Sequence, residues 1–231
     1  MLFLISAPSG SGKSTLVNRI SSLVEGLEFS VSYTTRAPRG SERDGREYRY
    51  VSRSEFEEMI AKGKFLEWAT VFGHYYGTAA QSLKEAYSAG KDLLLDIDVQ
   101  GAAQVRQRVP DAVSIFVLPP NPEVLASRLR QRSRAEGSNF EAEIDNRLAK
   151  AKEEIENYRQ YSYILVNDNL DQAVEDLSAI ILAERSKHSA GVLDEDAARR
   201  VQIAEQCRQA KATERLRPVL LSFGLLDPTH V

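Results

Sequence analysis

The 231 residues carry 42% apolar and 27% charged side chains, ordinary proportions for a globular protein large enough to bury a substantial core. A net charge of −3 argues against a general polyanion binder, so no nucleic-acid partner is expected and any anion site has to be local. The single cysteine, Cys207, excludes an internal disulfide framework and fits a reducing compartment. No run approaches the ~20 apolar residues of a membrane span, so a cytoplasmic setting with no membrane partner is expected.

Leu2–Ser6 reads as a buried strand, and Lys13–Val24 as the helix after a glycine turn. The stretch from about 30 to 85 has a different rhythm. FSVSYTT, EYRYVS and FLEWATV are short, alternating and separated by glycines and prolines, the pattern of a small antiparallel insert. Within it SEFEEMIAKG predicts a short helix with a Ser54/Glu57 capping box and Gly63 as its stop. DLLLDID (92–98), AVSIFVL (112–118) and YSYILV (161–166) are continuous apolar runs, as strands covered on both faces require. Amphipathic helices separate them. One, from Pro122 to Arg134, puts Leu125 and Leu129 on one face; in a second, Phe140, Ile144, Leu148, Ala151 and Ile155 recur every three or four residues; a third runs from Leu170 to Lys187. Strand–helix alternation predicts a parallel α/β sheet. From about 186 the strand signal ends, leaving one polar helix over roughly 194–214 and an apolar end near Val219–Leu226.

APSGSGKST, residues 7–15, joins the first strand to the first helix, which is the setting of a phosphate-binding loop. Backbone N–H groups of Gly10–Lys13 at a helix N-terminus would surround the β- and γ-phosphates of a nucleotide. Lys13 would add a positive charge on the transferring group, and the Ser14 hydroxyl would bind Mg²⁺. The whole loop, Ala7, Pro8, Ser9, Gly10, Ser11, Gly12, Lys13, Ser14 and Thr15, is assigned to the nucleotide. Ala7 stands where the pattern usually has glycine, and alanine is excluded there only if φ must be positive. Asp96 closes the run LLLD at the carboxyl end of a strand, where a carboxylate completes a metal shell through water. Asp98 follows on the same side of the extended chain.

The acceptor is addressed by SVSYTTRAPRGSERDGREYRY, residues 30–50. It holds Arg36, Arg39, Arg43, Arg46 and Arg49 among prolines, glycines and tyrosines, and no acid balances Arg36 and Arg39 until Glu42. Two fixed guanidinium forks with tyrosine hydroxyls suit a monophosphate. A solvated charged hairpin is the plainer alternative. His74 is expected to face solvent, and no His, Cys and acid spacing suits a transition metal.

Taken together, SAPSGSGKST, FSVSYTTRAPRGSERDGREYRYVS, GKFLEWATVFGHYYGT, LLLDIDVQG, RL at 128–129, NRL at 146–148 and YILVND at 163–168 resemble guanylate kinase, the ATP:GMP phosphotransferases, of bacterial type, over residues 2 to about 185. The resemblance implies a three-part α/β kinase with ATP and Mg²⁺, in which closure brings donor and acceptor in line. It implies that Arg36, Arg39, Tyr48 and Tyr76 hold the GMP phosphate, and that Ser32, Glu67, Thr78 and Asp98 face the guanine. Arg128, Arg132 and Arg147 would belong to a lid that neutralises charge in transit, and Asn167 would lie near the adenine. The implied division is a core at 1–30, 86–120 and 160–185, a GMP-binding insert at 31–85 and a lid at 121–159. The lid between Arg132 and Arg147 is longer than the usual form, and the extension at 186–231 lies outside the resemblance, free to cap the core or to join a homo-oligomer. Two other readings are a non-catalytic guanylate-kinase-like interaction module, which the intact SGSGKST opposes, and a kinase of phosphorylated sugars, which would have no use for Ser32, Glu67 and Thr78.

Overall fold

The computed structural model describes residues 1–135, 141–188 and 194–226. In chain order the elements are β1 (Leu2–Ser6), α1 (Lys13–Leu23), β2 (Leu27–Phe29), β3 (Tyr33–Thr34), β4 (Arg49–Tyr50), α2 (Arg53–Ala61), β5 (Phe65–Val71) and β6 (His74–Ala79). They continue with α3 (Ala80–Ser88), β7 (Asp92–Asp96), α4 (Val99–Arg108), β8 (Val113–Leu118), α5 (Pro122–Ala135), α6 (Glu141–Ile155) and a 3-10 turn at Glu156–Gln160. β9 (Tyr163–Val166), α7 (Leu170–Lys187), α8 (Glu195–Cys207) and α9 (Thr213–Ser222) complete the described chain. The class is α/β with parallel core strands and flanking helices, as expected. The chain divides into two compact units, one of Met1–Ile5 and Gly26–Val113, the other of Ser6–Glu25 and Ser114–Val231.

In the first unit β2, β7 and β1 lie side by side and parallel, in the registers Leu27↔Asp92 and Leu2↔Leu93. Leu93, Leu94 and Leu95 are fully buried, so the apolar run reports a strand covered on both faces. The second sheet has the order β4-β3-β6-β5. It is mixed where an antiparallel insert was expected: β3 pairs antiparallel with β6 but parallel with β4. The long connection after β3 brings the chain back in the same direction, with Arg49 N–H on Ser32 O at 2.9 Å. FSVSYTT is also not one strand. β2 pairs with β7, and the chain breaks away after Ser30 before β3 begins the second sheet.

The capping box of α2 is Ser52 with Glu55, where Ser54 with Glu57 was expected. Both pairs have the required spacing. The earlier one wins because Phe56 is fully buried between Phe65 and Tyr75, ring centroids 4.4 and 5.2 Å away, while Glu57 is engaged by Arg53 and the Tyr75 hydroxyl. The helix ends at Lys62–Gly63, as Gly63 signalled. α3 and α4 were not anticipated from their sequences.

In the second unit β8 and β9 pair in parallel from Ile115↔Tyr163 to Leu118↔Val166. α7 buries Val174, Leu177, Ile180 and Ile181 and packs against α1 and α8. α6 buries Ile144, Ala151 and Ile155, while Phe140 lies outside the described residues. The single helix expected over 194–214 is two, because the chain turns at Arg208–Ala212 to lie along β9. There Tyr163 and Arg208 form an antiparallel bridge, and Gln209 N–H reaches Ser162 O at 3.0 Å. α9 then buries Leu216, Val219 and Leu220. Among the described residues no helix is long and apolar enough to cross a membrane.

Candidate active site

The loop in the second unit is a tight turn between β1 and α1. Gly10 and Gly12 have φ of 90° and 85°, the left-handed region that glycine alone enters cheaply, and Gly12 is the N-cap of α1. Ser11 N–H closes the turn on Pro8 O at 3.1 Å. Ala7 is not among the residues of positive φ, so alanine is at ease where the pattern has glycine. Space is as restrictive as backbone. A Cβ on Gly10 would meet Leu125 Cδ1 at 2.9 Å, and one on Gly12 would meet Asn167 Nδ2 at 2.4 Å.

These contacts show how α5 and Asn167 are set beside the loop. Leu125 and Leu129 are fully buried, which turns Arg128 of the same helix toward the loop carbonyls. Its Nη2 donates to Asn167 O at 3.0 Å and its Nη1 to Ser11 O at 3.4 Å. Asn167 donates from Nδ2 to Ser11 O at 2.7 Å, while its Oδ1 and the Ser11 hydroxyl are buried with no hydrogen-bond partner. Such orphaned groups cost free energy unless a ligand completes them. Lys13 and Arg147 are half-buried; Ser9 is half-buried, and Ser14, Thr15 and Arg132 are exposed. Loop, Arg128 and Asn167 are therefore in mutual contact.

In the first unit Glu67, Thr78 and Tyr76 lie on strands of the small sheet, and Ser32, Arg36 and Tyr48 stand just beyond its strand ends. Arg36 is buried. Its Nε donates to the Tyr76 hydroxyl at 3.2 Å, its guanidinium lies 5.4 Å from the centre of the Tyr48 ring, and the Tyr48 and Tyr76 rings meet edge to face at 5.7 Å. Glu42, read from sequence only as a distant counter-charge, grips this group. It receives the Arg36 guanidinium, the Arg39 backbone N–H at 2.8 Å and the Tyr50 hydroxyl at 2.9 Å. Burial alone would lift the Glu42 carboxyl, but these bonds hold it below the usual range. Burial, and next the Asp96 carboxylate, raise the Tyr48 phenol well above its ordinary value. The Arg39 side chain is exposed.

Glu67 pairs with Thr78 across β5 and β6, and the Thr78 hydroxyl lies 3.3 Å from that of Ser32. All three are buried, Glu67 to 3% exposure. Burial pushes the Glu67 carboxyl up to about 7; bonds from Thr78 oppose this, and the nearby Asp98 carboxylate adds to it. Asp98 itself is the N-cap of α4, accepting from Gly101 N–H at 2.8 Å. A plain strand acid would face solvent. Glu67 does not, because a bulge after Phe65 shifts the register and α4 packs along β5. His74 is exposed, and among the described residues no group of three or more His, Cys, Asp or Glu could hold a metal by itself. Ser14 and Asp96 are oxygen donors of the kind magnesium takes alongside phosphate and water.

A family profile described as "Guanylate kinase" matches residues 1–184. The chain belongs to the guanylate kinase family. A guanylate kinase of Koribacter versatilis (strain Ellin345) is 52% identical over 222 residues, covering 96% of this chain and 95% of that one. A guanylate kinase of Neisseria meningitidis serogroup A is 50% identical over 188 residues, 81% of this chain and 90% of that one. The crystal structure of guanylate kinase from Anaplasma phagocytophilum superimposes with a TM-score of 0.65 at 34% identity, covering 80% and 85% of the two chains. The family profile stops before α8, whereas the Koribacter match is too long to leave out the C-terminal extension. The extension is therefore shared with at least one guanylate kinase.

Proposed function

We propose that the chain transfers the γ-phosphoryl group of ATP to GMP, giving ADP and GDP. The observation that carries this reading is a buried carboxylate flanked by two hydroxyls, Glu67 with Thr78 and Ser32, built on and beside the same small sheet as a buried guanidinium flanked by two phenols, Arg36 with Tyr48 and Tyr76. Guanine offers N1–H and a 2-amino group beside the O6 acceptor. An ionised Glu67 accepts from the first two while a hydroxyl of Ser32 or Thr78 donates to O6. Adenine lacks both donors and would leave the carboxylate unpaired, a mismatch that rejects strongly. Asp98 is proposed at the guanine edge, and Arg36, Arg39, Tyr48 and Tyr76 at the GMP phosphate.

On the donor side the N–H groups of Gly10–Lys13 at the start of α1 receive phosphate oxygens, and the loop from Ala7 to Thr15 encloses them. Lys13, Arg128, Arg132 and Arg147 offset the charge that moves with the phosphoryl group, and Asn167 holds the nucleotide against the loop. No strong base is required, because the attacking GMP oxygen is already anionic; positioning and charge neutralisation carry the catalysis. Bound Mg²⁺ supplies further neutralisation of the phosphates, with Ser14 and, through water, Asp96 as its proposed holders. The division into core, insert (31–85) and lid (121–159) is part of the same proposal, as is a cytoplasmic setting, supported by the lone buried Cys207. A homo-oligomer through the extension would need a surface other than Leu216, Val219, Leu220 and Phe223, which the fold already buries; sedimentation velocity on the full chain decides it.

The test is ADP release from Mg-ATP with GMP, AMP, CMP, UMP and ribose 5-phosphate offered separately. Turnover with GMP and not with the others is expected. Tight GMP binding with no turnover would instead make the chain a binding module, and turnover with ribose 5-phosphate a sugar-phosphate kinase.

A further inference from the structure

Helix α4 lies along β5, and three of its residues meet that strand in sequence. Gln104 bonds both main-chain groups of Trp68, its Nε2 donating to the carbonyl at 2.6 Å and its Oε1 accepting from the N–H at 3.3 Å. Arg108, one turn further on, donates from Nη1 to Phe65 O at 3.0 Å and also to Leu66 O. One turn before Gln104 comes Gly101, on the same face of the helix. A Cβ built there would lie 2.3 Å from Glu67 Oε2, 3.0 Å from Glu67 Cδ and 3.3 Å from Asp98 Oδ1.

The backbone does not ask for glycine here. Gly101 sits inside α4, is absent from the residues of positive φ, and an alanine in a helix is ordinarily the more stable choice by about 1 kcal/mol. What requires glycine is the carboxylate. Glu67 cannot retreat with its strand, because Gln104 and Arg108 hold the β5 main chain to the helix. Only the tip of the side chain is able to swing, away from Thr78 and from its aim.

We infer that Gly101 is a specificity-determining position, the bare patch of helix against which the Glu67 carboxylate is seated to read guanine. Gly101 touches no substrate atom in this account; it is a positioning residue acting through Glu67. The inference rests on the reading of Glu67 as the guanine acceptor given above.

The experiment measures steady-state kinetics with GMP and with inosine monophosphate, which lacks the 2-amino donor, for the full chain and for Gly101→Ala, Glu67→Asp, Glu67→Gln and the double variant Gly101→Ala/Glu67→Asp. Gly101→Ala is expected to raise KM for GMP about ten- to a hundredfold, the loss of a hydrogen bond to a charged group, with KM for ATP unchanged. The preference for GMP over inosine monophosphate should shrink with it, which a merely structural defect would not cause. Aspartate is one methylene shorter and clears the added methyl, so the double variant should be no worse than Glu67→Asp alone. That variant also relieves the clash should Gly101→Ala fail to fold. An unchanged KM for GMP in Gly101→Ala, or strictly additive losses in the double variant, overturns the inference. If Glu67→Gln leaves nucleotide preference unaltered, the underlying reading of Glu67 fails and takes the inference with it. If Glu67→Gln alters the preference while Gly101→Ala is silent, the role of Gly101 alone is refuted.

Discussion

Both oxygens of Glu42 hold the Arg36 guanidinium, Oε1 at 3.0 Å from Nη2 and Oε2 at 2.9 Å from Nη1. A carboxylate thus anchors the Arg36 side chain, and it ties the Arg39 backbone and Tyr50 into the same knot. Removing it leaves a buried arginine without its counter-charge. Glu42→Ala should therefore cost about 2 kcal/mol of stability and raise KM for GMP at least severalfold, with KM for ATP unmoved. Thermal melting and separate titration of the two nucleotides check this; an unchanged KM for GMP would show that Glu42 plays no part in holding Arg36. Because its folded-state pKa is depressed, the stability Glu42 contributes is present above about pH 4.5 and is lost as pH falls through the folded value.

Glu67 has the opposite sign. Its carboxyl is raised to about 7 in the fold from 4.5, so between these values the folded chain holds a proton that the unfolded chain has released, and stability falls as pH rises through that window. Guanine needs the ionised form. KM for GMP should accordingly worsen by about tenfold per unit as pH is lowered below about 7. The Glu67→Gln variant, which cannot ionise, should lose this dependence and keep only the titration of the GMP phosphate. A pH profile identical in the two proteins would remove Glu67 from the guanine site.

Lys13 starts α1 immediately after the left-handed Gly12. Lys13→Ala should lower kcat by about three orders of magnitude or more, since charge on the transferring group is what the residue supplies. GMP binding, measured calorimetrically, should stay largely intact, because the base-reading set belongs to the other compact unit. Loss of GMP binding in this variant would contradict the assignment.

Arg215 of α9 donates from Nη2 to Ile164 O at 2.7 Å and lies 3.6 Å from Asp176 of α7, so it fastens the extension to β9 and α7. Arg215→Ala should cost about 1 kcal/mol, a modest figure because the side chain is partly solvated, and lower the melting temperature by roughly 2–4 °C. Nucleotide KM values should not change. A stable Arg215→Ala protein with an unaltered melting temperature would mean that the extension docks without this contact.

The sequence by itself determined those features whose cause is local. A strand, two glycines able to enter the left-handed region, a lysine and a helix start lie within fifteen residues, so the turn at 7–15 was legible, and alanine is at ease at position 7 because its φ is not positive. The apolar runs at β7, β8 and β9 were legible because strands covered on both faces leave no polar alternation to confuse them. Tertiary structure decided the rest. Two capping boxes of equal spacing competed for α2, and the burial of Phe56 selected between them. The break between α8 and α9 follows from the edge of β9, which no local signal in the extension announces. Glu67 reads from its neighbours as a surface acid; it is buried because a helix more than thirty residues away is bare of a side chain at the point where the carboxylate has to lie. Close packing is non-local, and an ionisable group acquires its character from what surrounds it in space, not along the chain.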